Sequence, residues 1–205
     1  MSKDKKLIIV GAGEFAKIAY EYFTFDSCYQ VAGFCVEETY INAKELFGLS
    51  ITPLENIEAS YPPAEFHVFV AIPASDLNQT RTRLFTDVKA RGYTLATYVS
   101  SKAFVWRNVA LGENCFIFEN NTVQPFVKIG NNVVLWSGNH IGHRTVIKDN
   151  VFVSSHVVIS GYCVIGESCF LGVNSTFNDE TSIAPFSILA SGSLVNKKLV
   201  DENTI

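Results

Sequence analysis

The chain has 205 residues, 48% of them hydrophobic and 18% charged, with a formal net charge of -4. That is enough apolar material for one large domain or two small ones, and too much for a disordered chain. A non-specific nucleic-acid binder is excluded, because the 16 Lys and Arg residues form no concentrated basic cluster. No apolar run approaches the ~20 residues that span a bilayer. The N-terminal MSKDKKLIIV is charged and then enters an apolar strand, without the h-region and cleavage site of a signal peptide. The expectation is a cytoplasmic chain with no membrane span. Cys28, Cys35, Cys115, Cys163 and Cys169 are odd in number and form no CxxC pair, so no disulfide framework is expected.

In chain order, Lys5–Val10 (KKLIIV) reads as a buried strand, followed by Gly11-Ala12-Gly13-Glu14-Phe15-Ala16 and a helix over Lys17–Phe23. Strand, glycine turn and helix open a Rossmann-like α/β unit, in which backbone N–H groups and a helix N-terminus can receive phosphate. Ala16 stands at the third glycine position of that pattern. Further strands are predicted at Tyr29–Val36, Phe66–Ile72 and Tyr93–Val99, and a helix around Leu84–Arg91. A first domain over residues 1–98 is too short for a full dinucleotide fold.

From Val99 a period of six takes over. Val99, Val105, Leu111, Ile117, Val123, Ile129, Leu135, Ile141, Ile147, Val153, Ile159, Ile165, Leu171, Phe177, Ile183, Leu189 and Val195 are all apolar. Composition alone would give such a run roughly a few times in a million, so the period is structural. Four residues after each aliphatic stands a small or β-branched residue, Asn or Cys. Glycine follows the aliphatic at Gly112, Gly130, Gly142, Gly166 and Gly172. An amphipathic helix repeats at 3.6 residues, and hairpins would need a turn signal at every reversal. What fits is a short parallel strand and a tight corner, repeated, with the small residue and the glycine letting the backbone turn. Cys115, Cys163 and Cys169 fall in the small-residue column and read as packing residues.

This repeat, over residues 99–195, resembles that of the left-handed parallel β-helix (hexapeptide-repeat) acyltransferases, in which three hexapeptides make one coil. The left-handedness is implied by the resemblance, since period alone does not show it. A short Rossmann-like domain followed by such a β-helix, here residues 99–205, resembles the NeuD/PglD-type bacterial sugar acyltransferases. That resemblance implies an acetyl-CoA-dependent N-acetyltransferase acting on a nucleotide-linked amino-deoxy sugar for surface glycans. It also implies a homotrimer with the active site between subunits. Gly13, Glu14, Phe15, Glu37 and Pro73 match nucleotide-sugar positions, and Phe152, Gly161, Val173 and Ser191 match coenzyme positions. The base stays open between uracil, thymine and guanine, because Val36 and Pro73 depart from the family pattern. An O-acetyltransferase on sialic acid or a related sugar, and a non-catalytic β-helix scaffold subunit, are the alternatives.

Within Ser137-Gly138-Asn139-His140-Ile141-Gly142-His143, both histidines are expected to point outward on one corner, and imidazole is suited to take a proton near neutral pH. The family's catalytic histidine falls two residues after an inward aliphatic, which favours His143 as general base with His140 as its rival. His156 is a lesser candidate for the pantetheine groove, and His67 is expected in a buried strand. Arg144 stands where the family often has an acidic residue, so another group must orient His143. Phe152 replaces a second histidine, which leaves backbone N–H groups around Gly161 to polarise the thioester carbonyl. No metal is expected, because His140 and His143 do not have the spacing of the β-helix zinc enzymes. Relatives usually end in a Gly-x-Pro-Ala segment, whereas this chain ends Asp201-Glu202-Asn203-Thr204-Ile205. A truncated end or a differently held coenzyme is the expectation there.

Overall fold

The computed structural model describes residues 3–196. The terminal Asp201–Ile205 lies outside them. The chain divides into two units, one running through Pro73 and resuming over Thr80–Tyr98, the other comprising Ala74–Gln79 and the chain from Val99.

The first unit is a mixed sheet with helices against both faces. Its strands are β1 (Lys5–Val10), β2 (Tyr29–Val36), β3 (Glu45–Leu46), β4 (Leu49–Pro53), β5 (Phe66–Val70) and β6 (Thr94–Leu95), in the order β3-β4-β2-β1-β5-β6. All pairs are parallel except the β3–β4 hairpin. The side chains of β1 alternate between two cores, as a strand's period of two requires. Ile8 and Val10 pack with Val68, Val70, Leu84 and Val88, the last two from the helix Gln79–Ala90. On the other face Phe69 meets Phe15 and Phe23 of α1 (Glu14–Phe25), with ring centroids 6.2 and 5.1 Å apart.

Several boundaries differ from the sequence reading. Helix α1 begins at Glu14, three residues early, because Gly13 serves as its N-cap. The second long helix begins at Gln79, β5 stops at Val70, and the strand expected over Tyr93–Val99 breaks into Thr94–Leu95 and Tyr98–Val99. The β3–β4 hairpin was not expected. Its two-residue turn is Phe47-Gly48, both at positive φ, and a phenylalanine there hides the usual Asn-Gly signal.

The second unit carries seventeen two-residue strands, spaced every six residues from Tyr98–Val99 to Leu194–Val195. From Phe104–Val105 to Thr176–Phe177 each pairs in parallel with the strand 18 residues later, as Ile129↔Ile147 and Ile147↔Ile165 show. Three strands and three corners therefore make one coil, and three parallel sheets form the walls. The aliphatic column from Ile117 to Val195 is buried in a single core with Cys115, Cys163 and Cys169. Burial pushes the Cys169 thiol up to about 11, as expected of a packing residue rather than a nucleophile.

The corners turn by a different device from the one expected. Glycines such as Gly142 do not have positive φ. A Cβ on Gly142 would stand 2.4 Å from the Ser160 backbone, so glycine gives clearance for the next coil. The turn itself is made two residues later, by a residue in the left-handed region at nearly every corner. Asparagine, which tolerates that region, fills it at Asn114, Asn120, Asn132, Asn150 and Asn174. On one corner these side chains form a buried ladder. Asn114 donates to Asn132 at 2.9 Å, Asn132 to Asn150 at 2.8 Å, and Asn150 to Glu167 at 3.1 Å.

Replacing Asn132 with Ala removes the acceptor of the Asn114 amide N–H and the donor to the Asn150 amide oxygen. Chemical denaturation should therefore show a loss of about 2–4 kcal/mol. Val158→Ala, at a position 40% exposed, should change stability by no more than about 0.5 kcal/mol. In the first unit the Tyr29 hydroxyl meets His67 Nδ1 at 3.0 Å, and burial, with Lys5 adding to it, holds the imidazole below its usual range. The unfolded chain then binds the proton more readily. This contribution is present above pH ~6.5 and is lost as pH falls below it. His67→Phe should flatten that acid limb in denaturation measured from pH 7 to 5. An unchanged limb would show that His67 is not its source.

Candidate active site

Two places gather polar groups, one in each unit. In the first unit β1 ends at Val10 and passes through Gly11 into α1. Gly11 has a φ of +123°, and a Cβ there would lie 2.7 Å from the Ala71 carbonyl oxygen, so glycine is required. Gly13 brings no side-chain cap to α1, leaving its N-terminus suited to an anion. A cleft of about 370 Å³ opens there, lined by the Gly11–Gly13 turn, Glu37, Tyr40, Asn42, Thr80 and Arg83. Arg83 donates from both terminal nitrogens to the two Glu37 oxygens at 2.9 Å.

Of the residues matched to a nucleotide-sugar, Gly13 and Glu37 line this cleft, while Glu14, Phe15 and Pro73 do not. Glu14 is exposed and pairs with Lys17 at 3.2 Å. Phe15 is 5% exposed and lies edge-on to Phe69, so its side chain belongs to the core. Tyr40, Asn42, Thr80 and Arg83 were missed. Arg83 and Glu37 lie 46 residues apart, and no local spacing announces such a pair.

In the second unit the two histidines do not share a corner. His140 lies on the strand His140–Ile141, paired with Thr122 and Val158. Trp136 stacks on Phe118 at 4.3 Å, before the preceding corner. His143 and Arg144 form the next corner, with Arg144 at φ 59°. The correction follows from the repeat: a histidine one place before the inward aliphatic is a strand residue, and one two places after it is a corner residue.

The column of coils under His143 places Gly161 and then Asp179 at successive steps of 18 residues. The His143 ring lies against Gly161, whose Cβ, were there one, would meet Cε1 at 2.6 Å. Gly161 N–H, expected to face a thioester carbonyl, instead donates to Asp179 Oδ1 at 2.7 Å. Asp179 was missed, although the 18-residue spacing from His143 carries the signal. Among the described residues no group hydrogen-bonds to the His143 ring. Its backbone N–H donates to Gln124 Oε1 at 2.9 Å, and Tyr162 stands edge-on to the ring at 5.1 Å. Arg144 lies over Phe126 at 4.6 Å and Tyr162 at 6.0 Å.

The left-handed positions of this corner are Phe126, Arg144, Tyr162 and Glu180. None is Asn or Gly, and each costs on the order of 1 kcal/mol in strain. The neighbouring corner carries Asn114, Asn132 and Asn150 at these positions, with Ser168 and Phe186 after them.

The remaining coenzyme-matched residues lie elsewhere. Val173 and Ser191 stack on the corner that carries His156, where Gly192 N–H donates to the Val173 carbonyl at 2.8 Å. Phe152 is on the third wall, away from His143's corner, stacked on Phe170 at 5.5 Å. One chain does not bring Phe152, Val173 or Ser191 to His143. Among the described residues no three His, Cys, Asp or Glu side chains gather as a metal site, and no helix is long and apolar enough to cross a membrane.

Residues 108–143 and 127–161 match the family model described as bacterial transferase hexapeptide (six repeats). No curated protein sequence matches the chain significantly. Among solved structures, the acetyltransferase domain of PglB from Neisseria gonorrhoeae is 19% identical with a TM-score of 0.85, the match covering 97% of this chain and 94% of that one. PerB from Caulobacter crescentus, solved with CoA and GDP-perosamine, is 21% identical with a TM-score of 0.85, covering 97% and 92%. The PglB domain in complex with acetyl coenzyme A matches at 18% identity and a TM-score of 0.75, covering 96% and 93%. At these identities the structures establish a shared fold.

Glu180 is exposed at φ 59°. Glu180→Gly should therefore stabilise the chain by about 0.5–1 kcal/mol in urea denaturation. A loss of stability would show that this corner stores no strain.

Proposed function

We propose that the chain is an acetyl-CoA-dependent N-acetyltransferase acting on a nucleotide-linked amino-deoxy sugar, with a Rossmann-like nucleotide-sugar domain and a left-handed β-helix of the NeuD/PglD type. The reading rests chiefly on the strained corner where the His143 imidazole lies against Gly161. The glycine turn, the open N-terminus of α1 and the cleft with Glu37 and Arg83 support a nucleoside-diphosphate site. The solved relatives named above include one holding CoA with GDP-perosamine and one holding acetyl-CoA.

In this reading His143 takes the proton as the sugar amine attacks the thioester carbon, and the coenzyme thiol leaves with it. No covalent enzyme intermediate is needed, so catalysis consists of positioning, deprotonation and oxyanion stabilisation. Phe152, Val173 and Ser191 lie away from His143 within one chain, which favours a site completed between copies of a homotrimer, as does the row of exposed apolar groups including Val158, Tyr162 and Val164. Gly161 contributes to the coenzyme site beside His143.

Acetyl transfer from acetyl-CoA to GDP-, UDP- and dTDP-linked amino sugars, followed by thiol release, tests this directly. His143→Asn should lower kcat about 10²- to 10⁴-fold with little change in coenzyme affinity. The wild-type rate should rise with pH on the acid limb, because only neutral imidazole accepts a proton. His140→Ala should keep substantially more activity than His143→Ala, and a silent His143→Ala would remove the assignment.

A further inference from the structure

Gly161 N–H is the backbone donor beside the His143 ring, and it is already spent on Asp179 Oδ1 at 2.7 Å. The next residue reinforces the arrangement, since Glu180 N–H donates to the Gly161 carbonyl at 2.9 Å. Side-chain oxygens take N–H groups elsewhere in this β-helix too. Asn131 Oδ1 accepts from Glu113 and Asp149 Oδ1 from Asn131, at 2.9 and 2.8 Å, on a corner with no histidine. A rung of this kind therefore needs no functional reason. What sets Asp179 apart is its place: a full carboxylate on the N–H of the glycine against which the imidazole lies.

We infer that Asp179 is a catalytic residue that exchanges partners when the acceptor binds, leaving Gly161 N–H for the acceptor's amine and so freeing that N–H for the thioester oxygen. The inference rests on the acetyltransferase reading above and adds to it the residue that would tell an amine acceptor from a hydroxyl. A carboxylate accepts strong hydrogen bonds from an ammonium or amine, with charge assistance that a sugar hydroxyl does not offer. An ammonium acceptor loses one proton to solvent. The amine nitrogen then bonds to the thioester carbon, the carbon–sulfur bond breaks, and the second proton passes through His143 to the coenzyme sulfur. Gly161 N–H, released, steadies the oxygen of the tetrahedral intermediate. Without an amine, Asp179 keeps the donor occupied, and bound acetyl-CoA is spared from attack by water.

The test measures hydrolysis of acetyl-CoA without acceptor and the KM for the amine acceptor, in wild type, Asp179→Ala and Asp179→Asn. Circular dichroism melting and coenzyme Kd serve as folding controls. Asp179→Ala frees Gly161 N–H and should raise acceptor-free hydrolysis about tenfold or more, and amine KM about tenfold. Asp179→Asn keeps an oxygen on Gly161 but loses the charge, so hydrolysis should stay low while amine KM rises. Unchanged hydrolysis in Asp179→Ala with unchanged amine KM in both variants would overturn the inference while leaving the acetyltransferase reading intact. Transfer to a hydroxyl and not to an amine would overturn it as well. A wild-type protein that acetylates no sugar at all would remove the underlying reading, and the inference with it.

Discussion

The second unit depends on one constraint: alternate backbone N–H groups along each wall must find a carbonyl in the next coil, 17 residues on. Gly130 N–H donates to Ile147 O, Lys148 to Ile165 and Gly166 to Ile183, at 2.9 to 3.1 Å. That register holds only if each side of the coil has the same length, so no residue can be inserted without breaking it. Three consequences follow. The inward aliphatics stack on one another and form the core without further instruction. The residue after some of them must be glycine, because the next coil passes within van der Waals contact of its Cα. One residue per corner must adopt left-handed backbone, because two residues have to reverse the chain's direction without lengthening it.

The core, the strand positions and the parallel pairing were legible, because all three are periodic and the period is strict. The corner mechanism was legible too and was misread. Asparagine recurs at one corner position, at Asn114, Asn120, Asn132, Asn150 and Asn174, yet the turning was ascribed to glycines that provide clearance. Pairing at 18 residues, once given, also brings His143, Gly161 and Asp179 into one line. The part that was not legible is what no period carries. Phe152 and Val173 were matched one residue at a time, and such matching ignores which wall or corner each occupies.

The first unit shows the opposite balance. Strand β2 was found over its full extent and β1 likewise, since both are apolar runs of usual length. The glycine turn was found because its chemistry is local. The cleft beyond it was not, because Tyr40 and Asn42 come from one segment and Thr80 and Arg83 from another, and they meet only in the folded chain. The Glu37 and Arg83 pair is half open to solvent, with Arg83 57% and Glu37 26% exposed. It therefore adds little to stability, of the order of a surface ion pair. Its interest lies in fixing a carboxylate at the rim of a cleft whose other end is a helix N-terminus.

The three corners of the β-helix divide the work. One is a buried run of asparagine amides, each satisfying its neighbour, and it holds the coils in register at low strain. Another seats His143, Arg144, Tyr162 and Glu180, where left-handed backbone is adopted by residues that resist it. Asparagine at those positions would give a more stable coil. The side chains kept there instead are an aromatic pair, a cation lying over it and a carboxylate, beside an imidazole pressed against a glycine. A repeat this regular makes such departures interpretable, because each has an equivalent in neighbouring coils that shows what the fold alone requires. By that comparison the requirement at the second residue of a corner is left-handed backbone, which asparagine or glycine meets at least strain and the side chains of His143's corner meet at a cost.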